Sequence, residues 1–153
     1  MRGGRITGAD VVAEARGWIG TPYVHGASVR GAGSDCLGLL RGVWRGLLGA
    51  EPCAVPPYTP DWDEAAGREV LRAAAGRWLV ARPAGAEAAG DVLLFRMREG
   101  RVAKHLGIAT AAGPAARFVH AYTGHGVVES PLSPPWRRRV VARFALPGVD
   151  LQG

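Results

Sequence analysis

Asp35-Cys36-Leu37-Gly38-Leu39-Leu40-Arg41-Gly42-Val43-Trp44-Arg45-Gly46-Leu47-Leu48 is the stretch whose reading decides the fold. Its apolar residues recur at helical spacing, which predicts a helix over Cys36 to Leu48 with Ser34 or Asp35 as its cap. Gly38, Gly42 and Gly46 fall four apart, on one face. Each glycine costs a helix roughly 0.5 to 1 kcal/mol relative to alanine, so the stripe makes sense where that face lies close against another backbone. Arg41 and Arg45 give the helix a polar edge. Upstream, Val11, Ala15 and Trp18, with Val12 and Ile19 beside them, predict a helix over Ala9 to Ile19. Asp10 is its expected N-cap, and Gly20-Thr21-Pro22 stops it. Residues 20–35 form a glycine-rich loop.

Downstream, residues 49–60 hold four prolines and read as irregular. A third helix is expected over Asp61 to Ala75, with Asp61, Asp63 and Glu64 near its positive end. Residues 81–90 read as a flexible link. Then the period switches to strands. Val92 to Met97 is apolar. His105 to Thr110 and Arg117 to Tyr122 form an expected hairpin around Ala112-Gly113-Pro114. Val127 to Ser130 is short, and Arg139 to Leu146 closes the sheet. With a loop over Ala111 to Pro114, paired residue numbers sum to 225, which sets His105 directly opposite His120 on one face. Gly107, Ala109, Phe118 and Tyr122 share that face. A helix carrying Cys36 could approach there, its glycine stripe allowing close contact. Helices first and an antiparallel sheet second predict an α+β fold, and residues 1–153 read as one domain.

The chain has 153 residues, 48% of them apolar and 21% charged, so a true core is within reach. It holds 23 glycines and 26 alanines, and 18 of its 19 basic residues are arginine, with Lys104 the exception. No apolar run is long enough to span a membrane, and no apolar segment follows Arg2 and Arg5 to make a signal peptide. Two cysteines, Cys36 and Cys53, cannot staple a disulfide scaffold or build a four-cysteine metal site. The expectation is a domain made in a reducing cytosol without an export signal. The net charge of +6 fits an anionic partner, but no nucleic-acid motif accompanies the Arg137 to Arg139 run, which reads as a solvated face.

Three residues stand out chemically. Cys36 opens a helix, where the positive end of the helix dipole is expected to lower the thiol pKa. His105 and His120 share a strand register. Together they match nucleophile, base and orienter. A Cys/His/His zinc site is the rival reading. The paired-ligand spacing of such sites is missing, and no metal or other cofactor is expected. His25 and His125 read as surface residues, and Cys53 as an incidental buried or half-buried thiol. The Cys/His pair also predicts a bell-shaped pH–rate profile.

Five strings appear in order: Gly20-Thr21-Pro22-Tyr23-Val24, Asp35-Cys36-Leu37-Gly38-Leu39, Gly90-Asp91-Val92-Leu93-Leu94-Phe95, His105-Leu106-Gly107-Ile108 and Val119-His120-Ala121. Together they resemble the NlpC family of papain-like cysteine peptidases that cut peptidoglycan stem peptides, over residues 9–146. The resemblance implies the papain-like NlpC fold, with the nucleophile at the start of a central helix packed on an antiparallel sheet. It implies Cys36 as nucleophile, His105 as base and His120 as its orienter. Tyr23 would line the oxyanion or substrate site, and Asp35 would help recognise an amine of the stem peptide. Leu37 stands where the family more often has serine, and His25-Gly26-Ala27 replaces a Trp-Gly-Gly-like string. The Asp35 to Trp44 string is most similar to the branch found in phage tails and gene transfer agents. That branch implies a tail hub or baseplate as partner and delivery to the cell wall on a particle. A catalytically silent tail-tip component, or a thiol acyltransferase or amidase, are the alternative readings.

Overall fold

The computed structural model describes residues 5–60, 62, 67, 69–83 and 85–150. Strand β1 (Ile6–Thr7) leads into helix α1 (Gly8–Arg16). Thr7, not Asp10, is the N-cap: the two residues form a capping box in which each side chain bonds the other's backbone N–H. Asp10 therefore works one turn inside the helix. Two short strands, β2 (Ser28–Val29) and β3 (Gly33–Ser34), form a small hairpin inside the stretch read as a loop.

Helix α2 spans Cys36–Leu48, as its periodicity predicts, and Asp35 caps it by accepting from the Gly38 N–H. Helix α3 covers Val70–Trp78, shifted toward the C-terminus of the expected span. The expected start of that helix, at Asp61, Asp63 and Glu64, lies outside the described residues. The link expected over 81–90 begins instead as strand β4 (Val80–Arg82).

The main sheet continues with β5 (Val92–Arg96), β6 (Ala103–Ala111), β7 (Arg117–Tyr122) and β8 (Gly126–Pro131). A short helix α4 (Pro134–Arg137), β9 (Val140–Ala145) and β10 (Val149–Asp150) follow. The six-stranded order is β4-β9-β5-β6-β7-β8, antiparallel throughout, while β1 and β10 pair in parallel. Helices packed on an antiparallel sheet give the expected α+β class.

The alternation of the strands divides the core in two. Val92, Leu94, Leu106, Ile108, Val119 and Ala121 point toward α1, α2 and α3. Leu93, Phe95, Ala109 and Phe118 point the other way, with Ala116, Leu132 and Trp136 against them.

The glycine stripe of α2 serves a different neighbour from the one expected. A Cβ at Gly42 would lie 1.9 Å from the Trp18 ring, and one at Gly38 would lie 1.9 Å from the Ala27 carbonyl oxygen. The close approach is thus to the turn after α1 and to the loop before α2. It is not to the histidine-bearing face of the sheet. The space beside Gly107 is taken from within the sheet, by Phe118 and His120.

Candidate active site

The hairpin register decides where the histidines meet. Ile108 pairs with Val119 and Ala109 with Phe118, so residue numbers sum to 227 and not 225. The connection is longer than expected because Gly113–Ala115 form a 3₁₀ turn and the ladder shifts between Ala109 and Ala111. A slip of two keeps both histidines on one face, where a slip of one would have parted them. Continued along the strands, the register puts His120 beside Gly107. His105, one pair further, is a diagonal neighbour. The missing side chain at Gly107 lets the two rings bridge that diagonal, and His105 Nε2 lies 2.8 Å from His120 Nδ1. The two imidazoles face one another.

Both rings are enclosed. His105 is 7% and His120 0% exposed. Phe95, directly across from His105 on β5, and Trp136 from α4 pack against the His105 ring, and Phe118 and Trp136 against His120. Tyr122 stacks on His120 and on His125. Burial therefore disfavours the charged imidazoles. It lowers His105 to about 3, with repulsion from His120 adding. It lowers His120 to about 4, with His125 contributing. His120 Nε2 reaches Ser130 Oγ at 2.9 Å.

Cys36 sits on the helix side of the sheet, at the first position of α2. Its thiol and His105 open on one cavity of about 340 Å³, together with Tyr23, Asp35, Tyr58, Trp62, Lys104 and Tyr122. His120 stands behind His105 and does not line it. The expectation that the helix start lowers the thiol pKa is overturned. Burial and the adjacent Asp35 charge push Cys36 up to about 12, and they outweigh the N–H groups of Cys36, Leu37 and Leu106 that favour thiolate. Burial thus favours a neutral thiol and a neutral imidazole at rest.

Asp35 is 2% exposed and accepts hydrogen bonds from the N–H groups of Gly26 and Gly38 and from the Tyr58 hydroxyl. Its carboxylate is a hub that holds the entry loop, the helix start and the proline-rich segment together. Tyr23, at the cavity wall, pairs through its backbone with Ser34. Its hydroxyl is raised, first by burial and then by the charges of Cys36 and Asp35.

Sequence reasoning missed several residues here. His25 is exposed, as read, and it also lines the cavity, with Nε2 3.0 Å from the Tyr58 carbonyl oxygen. Tyr58 stacks on Trp62 with ring centroids 4.2 Å apart. Tyr58 comes from the proline-rich region, which has no periodicity to announce it, and Trp62 from the start of the span expected as a helix. Ser130 and Trp136 lie distant in sequence from the motifs they touch. Cys53, expected to be at least half-buried, is exposed. Arg137 and Arg138 are exposed, and Arg139 lies over the Trp136 ring at 5.3 Å.

No protein-family model matches the sequence. A gamma-DL-glutamyl hydrolase of Bacillus subtilis is 32% identical over 139 residues, which is 88% of this chain and 29% of that protein. The peptidoglycan hydrolase SagA has an NlpC/p60 domain whose crystal structure matches at 26% identity and a TM-score of 0.60. The match covers 92% of this chain and all of that domain. An NlpC/P60 family protein of Bacillus cereus matches at 17% identity and a TM-score of 0.62, over 92% of this chain and 40% of that one. This chain thus spans under half the length of the two Bacillus proteins. No helix among the described residues is long and apolar enough to cross a membrane. The helices, the antiparallel sheet and these neighbours together show that the chain has the NlpC/P60 fold.

Proposed function

We propose that the protein is an NlpC-type cysteine hydrolase that cuts amide bonds in peptidoglycan stem peptides. The observation that carries the reading is the single cavity shared by Cys36 and His105, with His120 bonded behind the latter. The name of the Bacillus subtilis relative supports hydrolysis of a glutamyl bond, and that of SagA supports a peptidoglycan substrate.

The chemistry follows from the ring nitrogens. His105 Nε2 is engaged by His120, which leaves Nδ1 to take the thiol proton as Sγ attacks the carbonyl carbon. The N–H of Cys36 stands at a helix start, where it has no intrahelical partner, and is positioned to donate to the developing oxyanion. His105 then gives the proton to the leaving amine, and a thioester remains. Water, deprotonated by the same imidazole, hydrolyses it and regenerates the thiol. Tyr23 and Asp35 are the proposed substrate-side groups, Asp35 acting toward an amine with what its three internal bonds leave free. The resemblance of the Asp35 to Trp44 string supports delivery on a phage-like tail, with hub or baseplate proteins as partners.

The test is incubation of the purified protein with stem peptides, followed by mass spectrometry. The expected result is two fragments whose summed mass exceeds the substrate by one water, and no cleavage by Cys36→Ala. Intact peptides with the wild-type protein, across stem-peptide types, would refute the reading.

A further inference from the structure

His120 is itself ambivalent, because a neutral imidazole donates from one nitrogen and accepts at the other. For His105 Nδ1 to be a bare acceptor toward the thiol, the His105 proton must sit on Nε2. That proton must then point at a bare Nδ1 on His120, so His120 must carry its own proton on Nε2. The reverse arrangement, with the His120 proton on Nδ1, forces the His105 proton onto Nδ1 and leaves nothing to receive the thiol proton. An orienter that is always an acceptor would not pose this problem.

The group facing His120 Nε2 is the Ser130 hydroxyl, at 2.9 Å. The ladder explains its position. His120 pairs with Val128 and Phe118 pairs with Ser130, so Ser130 is a diagonal neighbour of His120 on the same face. His105, His120 and Ser130 thus form one hydrogen-bonded line running diagonally across β6, β7 and β8, each step crossing one strand. Aromatic rings enclose its middle: Phe118, Tyr122 and Trp136 lie with centroids 4.2 to 5.3 Å from that of His120. Ser130 ends the line on the edge strand, where it is half-buried.

We infer that Ser130 is a positioning residue for the proposed reaction. Its oxygen accepts the Nε2 proton of His120 and so holds both imidazoles in the protonation pattern that lets His105 act as base. It touches neither substrate nor thiol, and its effect passes through His120. The inference rests on the proposed hydrolase reading for its kinetic consequence and on the geometry alone for its tautomeric one.

Two measurements test it. In stem-peptide hydrolysis, Ser130→Ala is expected to lower kcat about five- to twenty-fold with KM unchanged, the scale of one lost hydrogen bond acting on proton placement. Ser130→Thr keeps the hydroxyl on a residue suited to a strand and is expected to stay within about twofold of wild type. In nitrogen–proton correlation spectra of the resting protein, His120 is expected as the Nε2–H tautomer, giving way to a mixture in Ser130→Ala. A wild-type His120 protonated on Nδ1 overturns the inference. So does a Ser130→Ala kcat within twofold of wild type, or equal impairment of the alanine and threonine variants. If the wild-type protein cleaves nothing, the functional reading falls, while the spectra still decide the line. If Ser130→Ala does not fold, the wild-type spectrum and the threonine variant decide it.

Discussion

Alkylation of Cys36 tests the resting state of the site. Take Cys53→Ser, which removes the exposed thiol so that only Cys36 is counted. Burial and Asp35 hold the Cys36 thiol near 12. At pH 7.5 such a group is ionised to about 3 parts in 10⁵, against about one in ten for a small free thiol of pKa near 8.5. The more basic thiolate is the better nucleophile, and a Brønsted slope of about 0.45 over about 3.5 units recovers roughly 40-fold. The net expectation is reaction with iodoacetamide about 10²-fold slower than N-acetylcysteine amide in the same tube, read by mass spectrometry. The rate should climb with pH through 9 without levelling. Asp35→Asn keeps a competent N-cap and removes the charge, so it should speed the reaction. Labelling faster than the small thiol, on a plateau below pH 7, would refute the reasoning, because it would mean a preformed thiolate–imidazolium pair. Slow labelling, conversely, is the mark of a buried neutral pair and says nothing against turnover.

The same neutral pair replaces the expected bell with a plateau: stem-peptide hydrolysis should vary less than about twofold between pH 5 and 9, and a bell centred near pH 7 would contradict it. The glycines of α2 should separate by what they face. Gly42→Ala drives a Cβ into the Trp18 ring and should lower the urea-unfolding free energy by about 1 to 3 kcal/mol. Gly46→Ala meets only the carboxylate end of Glu14 and should be neutral or stabilising by up to about 1 kcal/mol; equal losses at both positions would argue against the packing described. Stability should also depend on acid. His105 and His120 have depressed values in the folded state, so below about pH 6.5 the unfolded chain binds protons that the folded chain does not. Their contribution is complete above that value and is lost as pH falls toward about 4, by up to about 1.4 kcal/mol per pH unit for each ring. Urea midpoints that stay level between pH 7 and 5 would sink this.

Much of the site was legible before any coordinates, because it depends on local periodicity. The span of α2 and its Asp35 cap follow from helical spacing and from the hydrogen-bonding habits of a short side chain. The shared face of His105 and His120 follows from the period of two. That parity survived a register error of two residues, since only an odd slip changes face. The diagonal meeting itself did not follow, because it depends on a 3₁₀ turn and a bulge whose lengths no alternation pattern encodes.

The remaining differences arise where a property belongs to surroundings distant in sequence. The helix-start argument gave the thiol the wrong direction because it counted the dipole and not the burial or the Asp35 charge. Only packing supplies the burial, which is the larger cause; the Asp35 charge stands next to the thiol in the chain. The glycine stripe was readable as a demand for close approach, but its partner, Trp18 in the turn after α1, is a tertiary fact. Tyr58, Ser130 and Trp136 carried no signal, since an aromatic in a proline-rich segment and a serine on an edge strand are ordinary until the fold sets them against Asp35 and His120. The sequence by itself determined the span and Asp35 cap of α2, the strands β5 to β9 in outline and which residues share a face, because these are set within a few residues along the chain. The tertiary structure alone decided the register, the neutrality of the Cys36 and His105 pair and the line through Ser130, because each depends on which distant groups exclude water from the same few ångströms.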